Sequence, residues 1–98
     1  MNLTSKQRAY LKSKAQTIDP ILQIGKSSVT TELVASVSEA IEKRELIKLH
    51  ILQNCDDDAK EIANTIAERT QSTVVQIIGK KIVLFKQKKK DSSYTLPL

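Results

Sequence analysis

The residues with the clearest chemical potential in this chain form the run Leu22-Gln23-Ile24-Gly25-Lys26-Ser27-Ser28-Val29-Thr30. It reads as the end of a strand, a turn of small residues holding one lysine, and the start of a helix. Amide groups at a helix N-terminus point outward and carry partial positive charge, so such a junction can hold a phosphate. Gly25 and the two serines let a polymer backbone come close, and Lys26 adds a full charge. Taken alone the pattern is unspecific, because many strand-to-helix loops contain Gly and Ser.

Other reactive side chains are few. His50 is the single histidine and Cys55 the single cysteine. Together they could suggest nucleophilic catalysis or a metal, but neither has an evident third group to orient it. An ordinary strand histidine and an ordinary thiol are the simpler reading. One cysteine permits no intrachain disulfide or multi-Cys zinc site, and fits a reducing cytosol. Asp56, Asp57 and Asp58 invite a divalent cation, yet the Gly and distal Glu of an EF-hand loop are missing, and helix capping accounts for them. Glu32, Glu39 and Glu42 lie on or near the exposed face of a helix, where a solvated role is the default. The expectation is therefore a non-enzyme, with no catalytic residues, no metal and no cofactor.

Thr4, with Gln7 three residues on, makes a capping box for a first helix. Leu3, Tyr10, Leu11, Ala15 and Ile18 give it a rough apolar stripe, and Pro20 ends it. Ile21, Leu22 and Ile24 form a short strand stopped by Gly25. Thr30 caps a second helix, with Glu32 in its first turn and Leu33, Val34, Val37, Ala40 and Ile41 at helical spacing. After Glu45 the period falls to two: Ile47, Leu49 and Ile51 alternate with Lys48 and His50, a half-buried strand. The three aspartates open a third helix whose stripe is Ala59, Ile62, Ala63, Ile66 and Ala67. Val74, Val75, Ile77 and Ile78, then Gly79 and Lys80, then Ile82 to Phe85 read as a hairpin with Gly79 at its turn.

The chain thus reads as a single α/β domain over 1–98, in the order α–β–α–β–α–β–β, with residues 87–98 as a loose basic tail. Helices between successive strands favour parallel pairing, and the hairpin adds an antiparallel strand. A mixed four-stranded sheet results, with helices on at least one face. No apolar stretch approaches the ~20 residues of a membrane span or forms a signal peptide, so a cytoplasmic protein is expected.

Charge is segregated along these elements. Of the 16 basic residues, five lie in 1–28 (Lys6, Arg8, Lys12, Lys14, Lys26) and six in 79–98 (Lys80, Lys81, Lys86, Lys88, Lys89, Lys90). Asp19 and Asp91 are the only acids in those stretches, while the middle of the chain is net acidic. If the ends meet on one face they form a stripe for several phosphates, with affinity that falls steeply in salt. Basic termini that simply keep a small protein soluble are the plainer alternative. With only Tyr10, Phe85 and Tyr94 as aromatics, stacking several bases lacks its usual platform.

Four ordered stretches sharpen this. They are Leu3-Thr4-Ser5-Lys6-Gln7-Arg8, the Gly25 loop, Glu42-Lys43-Arg44-Glu45-Leu46-Ile47-Lys48-Leu49, and Ile78-Gly79-Lys80-Lys81-Ile82-Val83-Leu84-Phe85-Lys86. In this order and spacing, over nearly the whole chain to Leu96-Pro97, they resemble the bacterial YhbY family of stand-alone CRM domains. The resemblance implies a domain similar to the C-terminal domain of translation initiation factor three. It also implies RNA binding, association with large-subunit ribosome precursors, and a GxxG loop that clamps the RNA backbone. Gly25 matches the first glycine, Lys26 and Ser27 the positions between, and Ser28 stands where the second glycine is expected. Phe85-Lys86 replace the family's usual Tyr-Arg, exchanging a fork-shaped donor for a point charge.

Charge and loop together point to a polyanion. The resemblance implies that it is RNA, with large-subunit ribosomal RNA or its precursor as partner of a ribosome assembly factor expected to be a monomer. Gly25, Lys26, Ser27 and Ser28 would approach the backbone; Lys6, Arg8, Lys12, Lys80, Lys81 and Lys86 would supply surrounding charge. Lys88, Lys89 and Lys90 would form a mobile basic extension. Two rivals stand beside this reading. One is a protein-interaction module docking through the acidic helices, and the other a small enzyme using Cys55 or the aspartates.

Overall fold

In the computed structural model, which describes residues 2–98, the chain runs α1 (Ser5–Ala15), β1 (Leu22–Ile24), α2 (Thr31–Arg44), β2 (Leu46–Ile51), α3 (Ala59–Thr70), β3 (Thr73–Ile78), β4 (Lys81–Phe85). The capping box forms at both ends of the pair: Gln7 N–H donates to Thr4 Oγ1, and Thr4 N–H to Gln7 Oε1, each at 3.1 Å. Thr30 Oγ1 likewise accepts from Leu33 N–H at 3.0 Å and starts α2. Asp58 occupies the N-cap of α3 without a side-chain cap bond, so its contribution there is charge beside the helix start. α1 ends at Ala15, five residues before Pro20, and Ile18 is held beyond it by a bond from its N–H to Ala15 O.

The four strands form one sheet in the order β1-β2-β4-β3. β1 and β2 are parallel, whereas β4 is antiparallel to both its neighbours. The crossover through α3 therefore leaves β2 and β3 pointing the same way but not touching, and the closing strand inserts between them. Parallel pairing of successive strands holds for β1 and β2 alone.

Period-two alternation divides the apolar residues between two faces. Ile24, Ile47, Leu49, Ile51, Ile82 and Leu84 meet Val37 and Ile41 of α2 and Ile62 and Ile66 of α3 in the main core. On the other face Leu46, Val75, Val83 and Phe85 meet Leu11 and Ala15 of α1. Each fully buried Leu, Ile or Phe contributes about 1.5–3 kcal/mol. A bulge between Val74 and Gln76 breaks the β3 ladder. Arg8 Nη1 answers it, donating to Val74 O and Val75 O, both at 2.7 Å.

Residues 87–98 are not a loose tail. The segment returns across the α1 side of the sheet, where Tyr94 and Leu96 complete the second core. The Tyr94 ring stands edge-on to Phe85 at 5.7 Å between centroids. Its anchor is Glu45, buried at the C-cap of α2 with φ +66°. The Glu45 carboxylate accepts from Lys88 N–H, the Ser92 hydroxyl and Ser93 N–H, and Glu45 O accepts from Lys86 N–H. In the sequence Glu45 only marks where the helical period gives way to a period of two, so the ordering of this segment is not visible there.

Candidate nucleic-acid interface

Gly25 to Ser28 form a tight turn closed by Ser28 N–H donating to Gly25 O at 2.9 Å. Lys26 and Ser27 at its tip are exposed. Ser28 has φ +56°, the left-handed region where glycine is favoured. The backbone thus keeps the shape a second glycine would give, although serine occupies the position. Ser28→Gly is expected to stabilise the protein by up to about 1 kcal/mol, the relieved strain being partly offset by glycine's greater freedom in the unfolded chain. Ser28→Val should destabilise it by about 1 kcal/mol or more. Thermal unfolding of both variants checks the pair.

Gly25 behaves differently. It has no positive φ, and a Cβ there would meet Asn54 Oδ1 and Leu52 Cδ1 only at 3.9 Å, an ordinary contact. Folding does not demand glycine at this place.

Because β1 and β2 are parallel, the Gly25 turn lies beside the end of β2, where Leu52 N–H donates to Ile24 O at 2.9 Å. The β3–β4 turn reaches the same edge, since Ile51 N–H donates to Lys80 O at 2.7 Å. Lys26, Lys80 and Lys81 thus share one edge of the sheet, all exposed. The opposite flank of the loop is acidic: Ser27, Ser28 and Val29 share a cleft of about 310 Å³ with Asp57 and Glu61 at the start of α3. A polyanion at the turn is therefore pushed toward the sheet side.

From that edge the α1-side face of the sheet is open. Leu11 and Ala15 cover Leu46, Val75 and Phe85, leaving Lys48, His50, Gln76, Ile78 and Lys81 only partly covered or exposed. Lys48, Gln76, Ile78, Lys80, Lys81 and Val83 line a shallow hollow of about 180 Å³. Lys12 is half-buried on α1; at about 100° per residue it lies on the flank away from Tyr10, whose side faces the C-terminal segment. Lys6 is exposed.

The remaining basic residues do not join this edge. β4 carries the chain across the whole sheet, so Lys86 emerges about 20 Å from Lys80, at about 3.3 Å per residue. There its ammonium pairs with Glu42. Lys86, Lys88 and Lys89 line a larger cleft of about 520 Å³ with Gln71, Gln87 and Ser92. Its charge is partly cancelled by Glu42 and by Glu45, whose carboxylate holds the Lys88 amide. Size alone does not make it the better site. Lys88 is half-buried, and only Lys89 and Lys90 of that run are exposed. Arg8 is committed to the β3 bulge. The expectation that the C-terminal lysines gather around the glycine loop is thus corrected: Lys80 and Lys81 lie at its end of the sheet, and Lys86, Lys88 and Lys89 at the other.

The catalytic candidates are separated as well. Cys55 is buried in the main core, while His50 lies on the other face of β2. Among the described residues no group of three or more His, Cys, Asp and Glu could hold a metal ion. Among the same residues no helix is long and apolar enough to cross a membrane.

The CRS1 / YhbY (CRM) domain pattern matches residues 3–86. The chain belongs to the CRM domain family. It is 42% identical over 95 residues to the Probable RNA-binding protein YqeI of Bacillus subtilis, covering 97% of this chain and 99% of that one. A Haemophilus influenzae protein named RNA-binding protein is 32% identical over 85 residues, covering 86% of this chain and 85% of its own. The solution structure of the hypothetical protein SAV1595 of Staphylococcus aureus superimposes with a TM-score of 0.84 at 46% identity, covering 98% of this chain and all of that one. The single α/β domain with three helices and a mixed four-stranded sheet is thus a CRM fold. Within it, the sequence motifs locate the loop, but the open half of the sheet escapes them. Its signal was the alternation that puts Lys48 and His50 on one side of β2.

Proposed function

We propose that this CRM-domain protein binds RNA without catalysing a reaction, and serves as an assembly factor on large-subunit ribosomal RNA or its precursor. The reading has it act as a cytoplasmic monomer. One observation carries the binding mode: an exposed small-residue turn with glycine-like backbone at Ser28, beside the cations Lys26, Lys80 and Lys81, which form no ion pair among the described residues. Gly25 supports it too, since neither its backbone nor its neighbours require a missing side chain, whereas an approaching sugar-phosphate backbone would. The names of the relatives agree with RNA as partner. In this scheme Gly25, Lys26, Ser27 and Ser28 contact phosphates, with Lys12, Lys80 and Lys81 around them. Lys6, Lys86, Lys88, Lys89 and Lys90 add charge at longer range, and Arg8 chiefly holds the sheet.

Lys26→Glu should weaken RNA binding about tenfold at fixed salt and lower the slope of log affinity against log salt. Fluorescence anisotropy with a ribosomal RNA fragment measures both. A change below about 0.5 kcal/mol would remove the loop from the site. Crosslinking in cells, with sequencing of the attached RNA, tests the ribosomal assignment, which fails if large-subunit sequences are not enriched. The acidic cleft beside the loop favours one second reading, docking of a basic protein on α2 and α3. RNA binding that is weak and indifferent to salt would select it.

A further inference from the structure

The open half of the sheet offers more than charge. Gln23 is in register with His50, His50 with Lys81, and Lys81 with Ile78, so one row of side chains crosses all four strands. Strand spacing of about 4.8 Å makes the row about 14 Å long. Lys48, Val83 and Gln76 form the next row. Ile78 is 61% exposed, the only large apolar side chain so placed among the described residues apart from the terminal Leu98. No acid neutralises this surface, since the ion pairs among the described residues involve Lys43 and Lys86.

A phosphate surface needs donors only. Here two glutamine amides and an imidazole, which accept as well as donate, lie among the lysines. Acceptors are of no use to a phosphate, but they complement the amino and imino groups on base edges. An exposed isoleucine between cations likewise suits the flat face of a base. Base edges and faces are free in single-stranded RNA and largely hidden in an A-form duplex. The three aromatics cannot serve instead, because Phe85 is fully buried and Tyr10 and Tyr94 pack in the second core.

From this geometry we infer that the open sheet face, centred on Ile78, His50 and Gln76, is a site for one or two unpaired nucleotides of the RNA whose backbone the Gly25 loop holds. The inference rests on the RNA-binding reading above and narrows it to single-stranded segments. Lys48, Lys80 and Lys81 flank the bases and hold their phosphates.

The test uses the full chain with two probes, an unstructured RNA of about a dozen nucleotides and a blunt RNA duplex of the same composition. Wild type should prefer the single strand. Ile78→Ser, at an exposed position where unfolding is not expected, should weaken single-strand binding about five- to tenfold and leave duplex binding and the salt slope unchanged. Gln76→Ala should do the same to a smaller extent, and thermal unfolding of both variants establishes that the fold is kept. Equal affinity for both probes, or variants that bind the single strand like wild type, overturns the sheet site while leaving the loop reading intact. Binding of neither probe overturns the RNA-binding reading and this site with it.

Discussion

Phe85→Ala should cost about 3–5 kcal/mol, the usual loss when a buried aromatic is cut back to a methyl group. Phe85 is fully buried at the end of β4, between the strand start at Leu46, the face of α1 and the Tyr94 ring. Its removal empties the point where α1 and the C-terminal segment meet. Domains of this size are stable by about 5–15 kcal/mol in total, so the variant should unfold at markedly lower denaturant. Phe85→Tyr keeps the ring but brings a hydroxyl into a closed core, and should cost less than the alanine variant. A denaturant series on the two variants checks the order. A loss below about 1 kcal/mol for the alanine variant would contradict the packing described.

Glu45→Gln should detach the C-terminal segment and cost about 1–3 kcal/mol, because an amide cannot accept on both sides as the carboxylate does. The pH profile separates this from a simple packing loss. Burial alone would raise the Glu45 carboxyl, but the bonds from Ser92, Lys88 N–H and Ser93 N–H, with the Lys88 charge, outweigh it and hold the group below its ordinary 4.5. A carboxyl lowered on folding stabilises fully above its unfolded value and loses that contribution as pH falls through the folded one. The gap in Tm between wild type and Glu45→Gln should therefore close on acidification below the ordinary carboxylate range. Tyr94 is shifted the other way: burial, then Glu45 and Tyr10, raise it above 10.0. Its contribution is present below that value and is lost as pH rises through the raised one. The strap should thus be tightest between the two transitions. Hydrogen exchange at the Lys88 and Ser93 amides follows it directly, and exchange independent of the glutamate would refute the anchor.

What the residues disclose before folding depends on how local the cause is. The Thr4–Gln7 capping box, the Thr30 cap and the period of two in β2 are settled within a few residues, and each element forms where its own sequence points. The Gly25 loop is similar, since its turn is closed by a bond between residues three apart. Non-local causes are hidden. Nothing near Arg8 announces a bulge in β3, and nothing near Glu45 announces the amides of Lys88 and Ser93. The lysines mislead most, because closeness to both chain ends is no guide once β4 crosses the entire sheet. One short strand delivers Lys80 and Lys81 to the glycine loop and removes Lys86 to the far side. The open half of the sheet requires knowing where α1 stops covering β2 and β4, which no periodicity contains.

The strand order also bears on how the molecule is made. Among the described residues β4 is the last of the four strands to leave the ribosome, yet in the sheet it alone joins the β1–β2 pair to β3. Until it arrives, β3 has no ladder partner and both edges that will receive β4 stand bare, a state prone to mispairing. Helices α2 and α3 can dock early, but sheet closure must await the emergence of β4. Closure of the sheet should therefore be all-or-none with respect to β4, and ribosome-stalled chains ending before Lys81 should remain protease-sensitive.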